Sequence, residues 1–384
     1  MLQSARRTTL FTESVIRDMS RVALEHGALN LAQGFPDFDP PEVVLQALRD
    51  AVGSGSHQYA NTWGAPGMRR ALARKIEDFS GTPVDPDREL TITCGSTEAM
   101  AATLLAILDP GDRFGVISPF YENYAADGIL ADAQAVHLPL HGADFRWDPD
   151  ELKALFASGI KAFVLCNPSN PCGRVFRQEE LQQVADLAIE HDVLVVTDEV
   201  YEHIVFDAPH LHLHAFPGMA ERTLVCSSLS KTYSITGWRL GYVHAAPRWT
   251  SAVRRVHDFL TVGAAHPLQV AAETALALPR SYYDDLRSEY LARRWVLVEE
   301  LEAAGFRPRP PEGAYFVLCD VSHLGVKDDR EFCHWMAREI GVAAVPGSSF
   351  FREARSPMVR FHFSRQIPAL REAGQRLARL KERL

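Results

Sequence analysis

The sequence feature that most constrains the fold is a regular alternation of short apolar runs with segments of helical pattern, beginning at Leu90. Short apolar runs bounded by turn residues are typical of buried strands, and strands that alternate with helices predict a mainly parallel sheet covered by helices. In such a sheet, ligands bind at the carboxyl ends of the strands. The runs are 90–93, 114–118, 135–139, 162–166, 193–197 and 223–226, and the clearest helical segments are 98–108 and 178–191.

The segments on either side of this alternation indicate a second, smaller unit. The length of 384 residues also favours two domains over one. We therefore predict an N-terminal arm with part of the small domain in 1–40, a large domain in 41–279 and a small α+β domain in 280–384. The flanking helices are predicted at 12–26, 42–52, 68–79, 268–276, 282–305 and 329–340, and the flanking strands at 314–319 and 358–363.

Charge and composition argue against two classes of partner. The chain has 40 Lys and Arg against 49 Asp and Glu, a formal net charge of -9, whereas nucleic-acid-binding domains are normally basic. No stretch approaches roughly 18 uninterrupted apolar residues, and no apolar segment follows Arg6 and Arg7, so we predict neither a membrane span nor a secretory signal. The six cysteines are scattered and form no Cys-x-x-Cys pair. These features predict free thiols in the reducing cytoplasm and no contact with nucleic acid or membrane.

One histidine-rich segment could in principle bind a metal ion. His210, His212 and His214 alternate in Pro-His-Leu-His-Leu-His, and alternation in an extended segment places side chains on one face. No acidic or cysteine partner stands in helical register with them. We therefore predict a solvated loop and no metal site.

The residues after the last apolar run carry the strongest chemical signal. Lys231 lies among small hydroxyl residues in Ser-Ser-Leu-Ser-Lys-Thr-Tyr-Ser, and Arg239 follows in the same stretch. A protonated lysine is a poor nucleophile, but burial can free its amine for Schiff-base chemistry. Ser228 and Arg239 are suitable donors to a phosphate group, the arginine through its bidentate fork. Taken alone, the pattern also fits a surface lysine in a Ser/Thr loop.

Two earlier strand ends carry residues of matching chemistry. Ser96 and Thr97 stand at the entry to a helix, where hydroxyls, backbone amides and the helix dipole favour a phosphate, although simple helix capping uses the same residue types. Tyr121 follows the next apolar run and offers an aromatic face, which could stack on a planar ring or pack in the core.

Polar side chains also follow the strands predicted at 162–166 and 193–197. Asn170 lies in a turn fixed by two Asn-Pro steps, which can direct an amide outward. Asp198 could accept a hydrogen bond from a protonated ring nitrogen, and Tyr201 could bond a ring hydroxyl. Near the N-terminus, Gly34 would allow a ligand to approach the backbone closely, and Phe35 is an unusual residue for a linker.

Three of these segments, in this order, resemble the class I/II aminotransferases of pyridoxal-phosphate (PLP) fold type I. The resemblance is closest to the subgroup of kynurenine/glutamine, methionine and N-succinyldiaminopimelate aminotransferases. It implies an α/β fold with a mainly parallel, helix-covered sheet plus a smaller α+β domain, and pyridoxal 5'-phosphate as cofactor. The segments are Asn-Pro-Ser-Asn-Pro-Cys-Gly (167–173), Asp-Glu-Val-Tyr (198–201) and Ser-Ser-Leu-Ser-Lys-Thr-Tyr-Ser-Ile-Thr-Gly-Trp-Arg-Leu-Gly (227–241).

The resemblance implies a role for each strand-end residue around the cofactor ring. Lys231 would form the Schiff base and move the proton at the substrate Cα. Asp198 would hold the pyridinium nitrogen protonated, which makes the ring an electron sink. Tyr201 and Asn170 would contact the ring hydroxyl oxygen, and Tyr121 would stack on the ring.

The resemblance also implies how the phosphate is bound. Ser96, Thr97, Ser228 and Arg239 match the residues that hold it in the same subunit. Tyr59 matches a tyrosine that reaches the phosphate of the partner subunit. This last match implies a homodimer with shared active sites.

The substrate side of the site follows in the same way. Arg360 matches the arginine that clamps the α-carboxylate, with Asn170 and the Gly34 backbone completing that site, because a bidentate fork orients Cα for proton removal. Ile16 and Phe35, together with 257–267, would set side-chain specificity.

These matches predict an aminotransferase that exchanges an amino group between a neutral amino acid and a 2-oxo acid. The expected donors are of the methionine, glutamine, aromatic or kynurenine type, because Thr97 replaces a lysine that some aspartate-preferring relatives carry. Three alternatives stay open: an N-succinyldiaminopimelate aminotransferase, a PLP-dependent carbon–sulfur β-lyase, and a ligand-sensing regulator without catalysis. Pyruvate and ammonia released without an added keto acid would favour the lyase.

Overall fold

Strands and helices alternate through the middle of the chain as the sequence predicts. The structure, a computed structural model, describes residues 4–353 and 355–383. Its strands are β1 (Leu29–Asn30), β2 (Leu90–Thr93), β3 (Arg113–Ser118), β4 (Gln134–Pro139), β5 (Ala162–Cys166), β6 (Leu194–Asp198), β7 (Thr223–Ser228), β8 (Gly241–Ala245), β9 (Arg307–Pro308), β10 (Phe316–Asp320), β11 (Val342–Ala343), β12 (Val345–Pro346) and β13 (Met358–His362). Its α-helices are α1 (Val15–Glu25), α2 (Glu42–Gly53), α3 (Pro66–Ser80), α4 (Gly95–Ile107), α5 (Asn123–Leu130), α6 (Pro149–Ala157), α7 (Gln178–Glu190), α8 (Pro247–Leu260), α9 (His266–Leu276), α10 (Arg280–Ala303), α11 (Asp329–Trp335) and α12 (Ile367–Leu377).

The largest sheet has seven strands in the spatial order β2-β8-β7-β6-β5-β3-β4. Every pair from β7 to β4 is parallel, whereas β8 is antiparallel to both β7 and β2. The carboxyl ends of the other six strands therefore lie at the same edge. Asp198 is in register with Cys166 on one side and Cys226 on the other, which aligns the residues that follow these three strands.

Both faces of this sheet are buried, which explains why its strands are continuous apolar runs rather than alternating ones. Along β5, Val164 packs on one face with α4 and α5, whereas Phe163 and Leu165 pack on the other face with α6 and α7. This alternation is the two-residue side-chain period of a strand. The predicted α/β layering is present.

The sequence analysis does not predict β8. Its first residue is Gly241, and the segment continues directly from the hydroxyl-rich Lys231 stretch without an apolar run of the usual length. The glycine is required here, because a Cβ at position 241 would lie 2.3 Å from the backbone carbon of Gly95. This close approach brings the start of α4 against the end of β7, where the site lies.

Two smaller sheets are formed by the N- and C-terminal parts of the chain. The antiparallel sheet has the order β12-β13-β10-β9, and β1 pairs in parallel with β11. The same apolar core contains residues of α1, α10, α11 and α12. This pairing places the N-terminal segment beside the C-terminal elements; the boundaries at 41 and 280 stay a prediction.

Several helices begin or end at residues other than those predicted. The helix predicted over 98–108 begins at Gly95, and the one predicted over 329–340 ends as α11 at Trp335 and continues as a π-helical turn, Met336–Ile340. Within the described part of the chain, no helix has the length and apolarity needed to cross a membrane. All six cysteines are free, as predicted.

Candidate active site

A cavity of about 440 Å³ opens at the carboxyl ends of the central strands. Residues separated by more than 300 positions in sequence line it, because α1, the segment after β1 and β13 all close over the sheet edge. Of the residues singled out from the sequence, the cavity is lined by Ile16, Gly34, Phe35, Ser96, Thr97, Tyr121, Asn170, Asp198, Tyr201, Ser228, Lys231, Arg239 and Arg360.

Asp198 ends β6 at the floor of this cavity. Burial raises the pKa of its carboxyl to about 6. The hydroxyl of Tyr124 donates to Asp198 Oδ2 at 2.6 Å, and this hydrogen bond opposes the effect of burial. Sequence reasoning missed Tyr124; the only signal is its position three residues after Tyr121, at the start of α5. A buried carboxylate whose donors are the Tyr124 hydroxyl and the Val200 backbone N–H, both neutral, retains the capacity to pair with a protonated ring nitrogen.

The start of α4 and the Lys231 stretch together form an anion cradle. Gly95 adopts a φ of +82°, and a Cβ there would lie 2.3 Å from Arg239 Nη2. Arg239 forms no ion pair with any described residue, and its Nη1 donates to the carbonyl of Thr236 at 3.1 Å. Ser228 lies at the end of β7 beside it. An uncompensated guanidinium at a helix N-terminus fits a phosphate group.

Arg360 provides a second, deeper positive charge. It is 1% exposed, and its guanidinium lies 4.1 Å and 4.6 Å from the ring centroids of Phe316 and Phe350. Nη1 donates to Asn170 Oδ1 at 2.7 Å and Nη2 to the carbonyl of Ala32 at 3.0 Å, whereas Nε is buried without a partner among the described residues. Burial lowers its pKa to about 10. A buried arginine bonded only to neutral oxygens is suited to bind a carboxylate.

Lys231 lines the same cavity as these two arginines. Its Nζ is 3.4 Å from the carbonyl oxygen of Gly34 and 5.8 Å from the ring centroid of Tyr315. Tyr315, which the sequence analysis does not single out, donates to the same carbonyl at 2.7 Å. No carboxylate within the described residues forms an ion pair with the amine. It is therefore available for chemistry at the cavity.

Two tyrosines line the cavity together with the lysine. Tyr201 is 4% exposed and packs edge-on against Tyr315 and Phe316. Tyr121 is half-buried, with its ring edge-on to Tyr124, and burial raises its pKa to about 12. Both phenols are neutral at physiological pH, so they can donate hydrogen bonds or stack.

One predicted site residue lies elsewhere. Tyr59 is 86% exposed and lines a separate surface cavity with 262–267 rather than the site of its own chain. Conversely, the active-site cavity is lined by a residue that sequence reasoning missed, Arg17. It follows Ile16 in the first turn of α1, where Ser14 accepts from the Arg17 N–H at 3.4 Å, and its side chain forms no ion pair with any described residue.

The prediction of a solvated loop at 210–214 is wrong. The side chains of His210 and His212 are only 4% and 10% exposed, and His214 is 4% exposed as a residue. An acidic partner is present, because the Glu199 carboxylate lies 2.9 Å from a ring nitrogen of both His210 and His212. The sequence could not show this contact, since Glu199 directly follows β6 and the histidines lie in a later segment of the chain.

This architecture is that of enzymes of PLP fold type I, and the predicted fold class is confirmed by solved structures of that type. The chain belongs to the family described as "Aminotransferase class I and II", which its residues 27–375 match. It is therefore an aminotransferase, as predicted.

Relatives and solved structures cover almost the whole chain. It is similar to a structure of N-succinyldiaminopimelate aminotransferase from Mycobacterium tuberculosis, with a TM-score of 0.95, 37% identity and 98% and 100% of the two chains covered. It is 36% identical to methionine aminotransferase of Escherichia coli over 97% of this chain and 96% of the relative. It is 33% identical to human kynurenine–oxoglutarate transaminase 1 over 95% of each. The predicted subgroup is thus confirmed.

Proposed function

We propose that the protein uses pyridoxal 5'-phosphate to exchange an amino group between a neutral amino acid and a 2-oxo acid, with donors of the methionine, glutamine, aromatic or kynurenine type. The observation that carries this proposal is that two arginines without a carboxylate partner among the described residues, Arg239 and Arg360, line the same cavity as Lys231. One fits a phosphate and the other an α-carboxylate. A cofactor held by its phosphate and a substrate held by its α-carboxylate would present their reacting atoms to Lys231.

The residues at the strand ends fit the cofactor. When bound, the cofactor supplies an electron sink for chemistry at the substrate Cα. Ser228 and Arg239, with Ser96 and Thr97 at the start of α4, would hold its phosphate. Asp198 would keep the ring nitrogen protonated, because the Tyr124 hydroxyl favours the ionised carboxylate.

The remaining roles concern the ring and the proton. Tyr201 and Asn170 would contact the ring hydroxyl, and Tyr121 would cover one ring face. Lys231 Nζ would take the proton from Cα and return it, acting as the general base and acid.

The substrate would be oriented from the opposite side. Arg360 would hold the α-carboxylate with Asn170, whose carbonyl oxygen already accepts from Nη1 and fixes the plane of the fork. The Gly34 backbone lies beside Lys231 and would complete this end. Ile16 and Phe35 also line the cavity, and a substrate side chain would extend toward them.

Replacement of Lys231 tests the proposal. Lys231→Ala should lose 2-oxo-acid-dependent turnover by at least about 100-fold, the contribution of a positioned proton-transfer group. Lys161→Ala is the matched control, because Lys161 pairs with Asp109 and Asp112 away from the cavity. A Lys231→Ala protein with turnover near that of the parent would refute the assignment.

Arg17 favours a second candidate for the substrate class. A guanidinium beside Ile16 could bind a distal carboxylate, as carried by 2-oxoglutarate or by an N-succinyl-diaminopimelate donor. Arg17→Met should raise KM for such a substrate about fivefold, as expected from an exposed ion pair of about 1 kcal/mol, while KM for methionine stays unchanged. Arg21→Met on the same helix is the control, because Arg21 already pairs with Glu13 and Asp18. Equal effects on both substrates would exclude a specificity role.

A homodimer with shared active sites is part of the proposal. Tyr59 and Phe259 are 86% and 94% exposed, which is unusual for aromatic side chains unless a partner covers them. Mixing inactive Lys231→Ala chains with inactive Tyr59→Ala chains should restore activity if Tyr59 acts across the interface. No recovery, with dimers present in sedimentation analysis, would contradict sharing.

A further inference from the structure

A buried group of histidines lies outside the active-site cavity, in contact with the residue that follows Asp198. It centres on Glu199, the residue after Asp198, whose carboxylate is 2% exposed. His210 Nε2 and His212 Nδ1 each lie 2.9 Å from Glu199 Oε2, and the Thr197 hydroxyl donates to Oε1 at 2.8 Å. None of these residues lines the active-site cavity. The connection to it is the chain itself, because Glu199 is next to Asp198, which does line the cavity.

His214 is the unexplained member of this group. Both of its ring nitrogens are buried and have no hydrogen-bond partner among the described residues. Its ring lies 5.5 Å from that of His212 and 4.8 Å from that of His244, measured between centroids. A buried polar atom without a partner costs about 1–3 kcal/mol, so an imidazole with two such atoms requires a reason.

We propose that Glu199, His212 and His214 form a binding site for a divalent transition-metal ion of the Zn²⁺ type. Their ligand atoms all lie within 4.8 Å of one another. Ligands about 2.0–2.2 Å from a shared ion stand roughly 3–4 Å apart, so only small side-chain movements are needed. Imidazole and carboxylate are ligands that such ions bind in proteins.

The charges around the cluster agree with a cation. Glu199 has no lysine or arginine partner among the described residues, whereas the neighbouring Glu202 is paired with Lys75 at 2.5 Å. Neither ring nitrogen of His214 has a hydrogen-bond partner among the described residues, so the ring can offer a lone pair to an ion. The Glu199 charge is therefore the one available to an incoming ion.

An ion could reach the site from the surface. His210 and His212 line a cavity of about 420 Å³ whose other charged groups are Glu202, Asp207, Arg280 and Arg287. Two carboxylates and two guanidinium groups leave this entrance close to neutral. His210 could move from Glu199 as the ion binds, which would leave the carboxylate to the metal.

A bound ion would connect the loop that carries the histidines to the end of β6. Since Asp198 is the preceding residue, the ion would stabilise the backbone that positions this carboxylate. The role is structural, and it does not depend on the substrate or on the reaction proposed above.

Metal titration of the PLP-loaded protein tests the site. After dialysis against a chelator, we expect one equivalent of Co²⁺ per chain to give visible d–d bands of a four-coordinate site, which Zn²⁺ then abolishes. His214→Ala and His212→Asn should each weaken Zn²⁺ affinity by at least about 10- to 100-fold, the loss typical even of outer-sphere partners. His141→Ala is the control, because His141 bonds Glu151 at the surface and should leave affinity unchanged.

Two results would overturn the proposal. One is the absence of a stoichiometric Co²⁺ spectrum, and the other is equal metal affinity in the parent and the two cluster variants. If the variants fail to fold, anomalous diffraction from Zn²⁺-soaked crystals of the parent protein tests the site instead. An anomalous peak between Glu199, His212 and His214 supports the site, and its absence identifies the group as a hydrogen-bonded cluster around a buried carboxylate.

Discussion

Tyr124 offers a sharp test of how the site controls its carboxylate. Tyr124→Phe removes only the hydroxyl that donates to Asp198 Oδ2 at 2.6 Å. A hydrogen bond to a charged group contributes about 1.5–3 kcal/mol, which corresponds to about 1–2 pKa units. Since the pKa of Asp198 is already raised to about 6 by burial, the variant should carry it at about 7–8.

This shift fixes the pH dependence of cofactor affinity. Cofactor binding through a protonated ring nitrogen needs ionised Asp198, so the variant must first ionise a carboxyl of higher pKa. Because the pKa of Asp198 is higher in Tyr124→Phe than in the parent, the loss of PLP affinity is present at low pH and disappears above the new pKa. The dissociation constant for PLP should rise about 5- to 50-fold relative to the parent near pH 6, and the ratio should approach about 1 near pH 9.

Fluorescence or absorbance titration of chelator-free apoprotein with PLP at several pH values measures this ratio. Tyr290→Phe is the control, because Tyr290 is a buried tyrosine whose hydroxyl has no partner among the described residues. A ratio that is independent of pH, or near 1 throughout, would refute the reasoning that Tyr124 acts through the ionisation of Asp198.

Three further predictions concern other buried groups. Arg360→Lys keeps a charge but loses the bidentate fork, so kcat/KM for amino acids should fall about 10- to 100-fold. Arg371→Lys on the surface is the control. An effect of Arg360→Lys below threefold (about 0.7 kcal/mol) would contradict its role as a carboxylate clamp. Burial raises the pKa of Asp127 to about 7, so its ionisation destabilises the fold as pH rises. In urea unfolding, the free energy of unfolding of Asp127→Asn relative to that of the parent should therefore rise by about 2–4 kcal/mol between about pH 4 and 7, and should rise no further above pH 7. The exposed Asp284→Asn should show no such trend. Gly95→Ala should weaken PLP binding and lower stability, because the new Cβ would meet Arg239. Gly81→Ala, at a positive φ with open space around it, should lower stability only. Equal PLP affinities of these two variants would argue against the anion cradle.

The sequence predicted most of the large sheet and which residues follow its strands at the cavity. The reason is that both are encoded locally: apolar runs set the buried strands, and residues such as Asp198 and Lys231 follow directly after them. It failed at β8, whose pairing depends on the glycine contact with the start of α4. It also missed Tyr124, because a tyrosine in a helix gives no sign of which distant carboxylate it reaches.

The sequence by itself thus determined the α/β fold and the order of the strand-end residues, since turn chemistry and side-chain periodicity act over a few positions. Only the tertiary structure decided which charges stay unneutralised. Arg360 meets Asn170 across 190 positions, and Arg17 reaches the cavity through the packing of α1. Glu199 likewise lies within hydrogen-bonding distance of the rings of two histidines that the sequence placed in a solvated loop. Such contacts depend on strand register and packing, which local patterns do not specify.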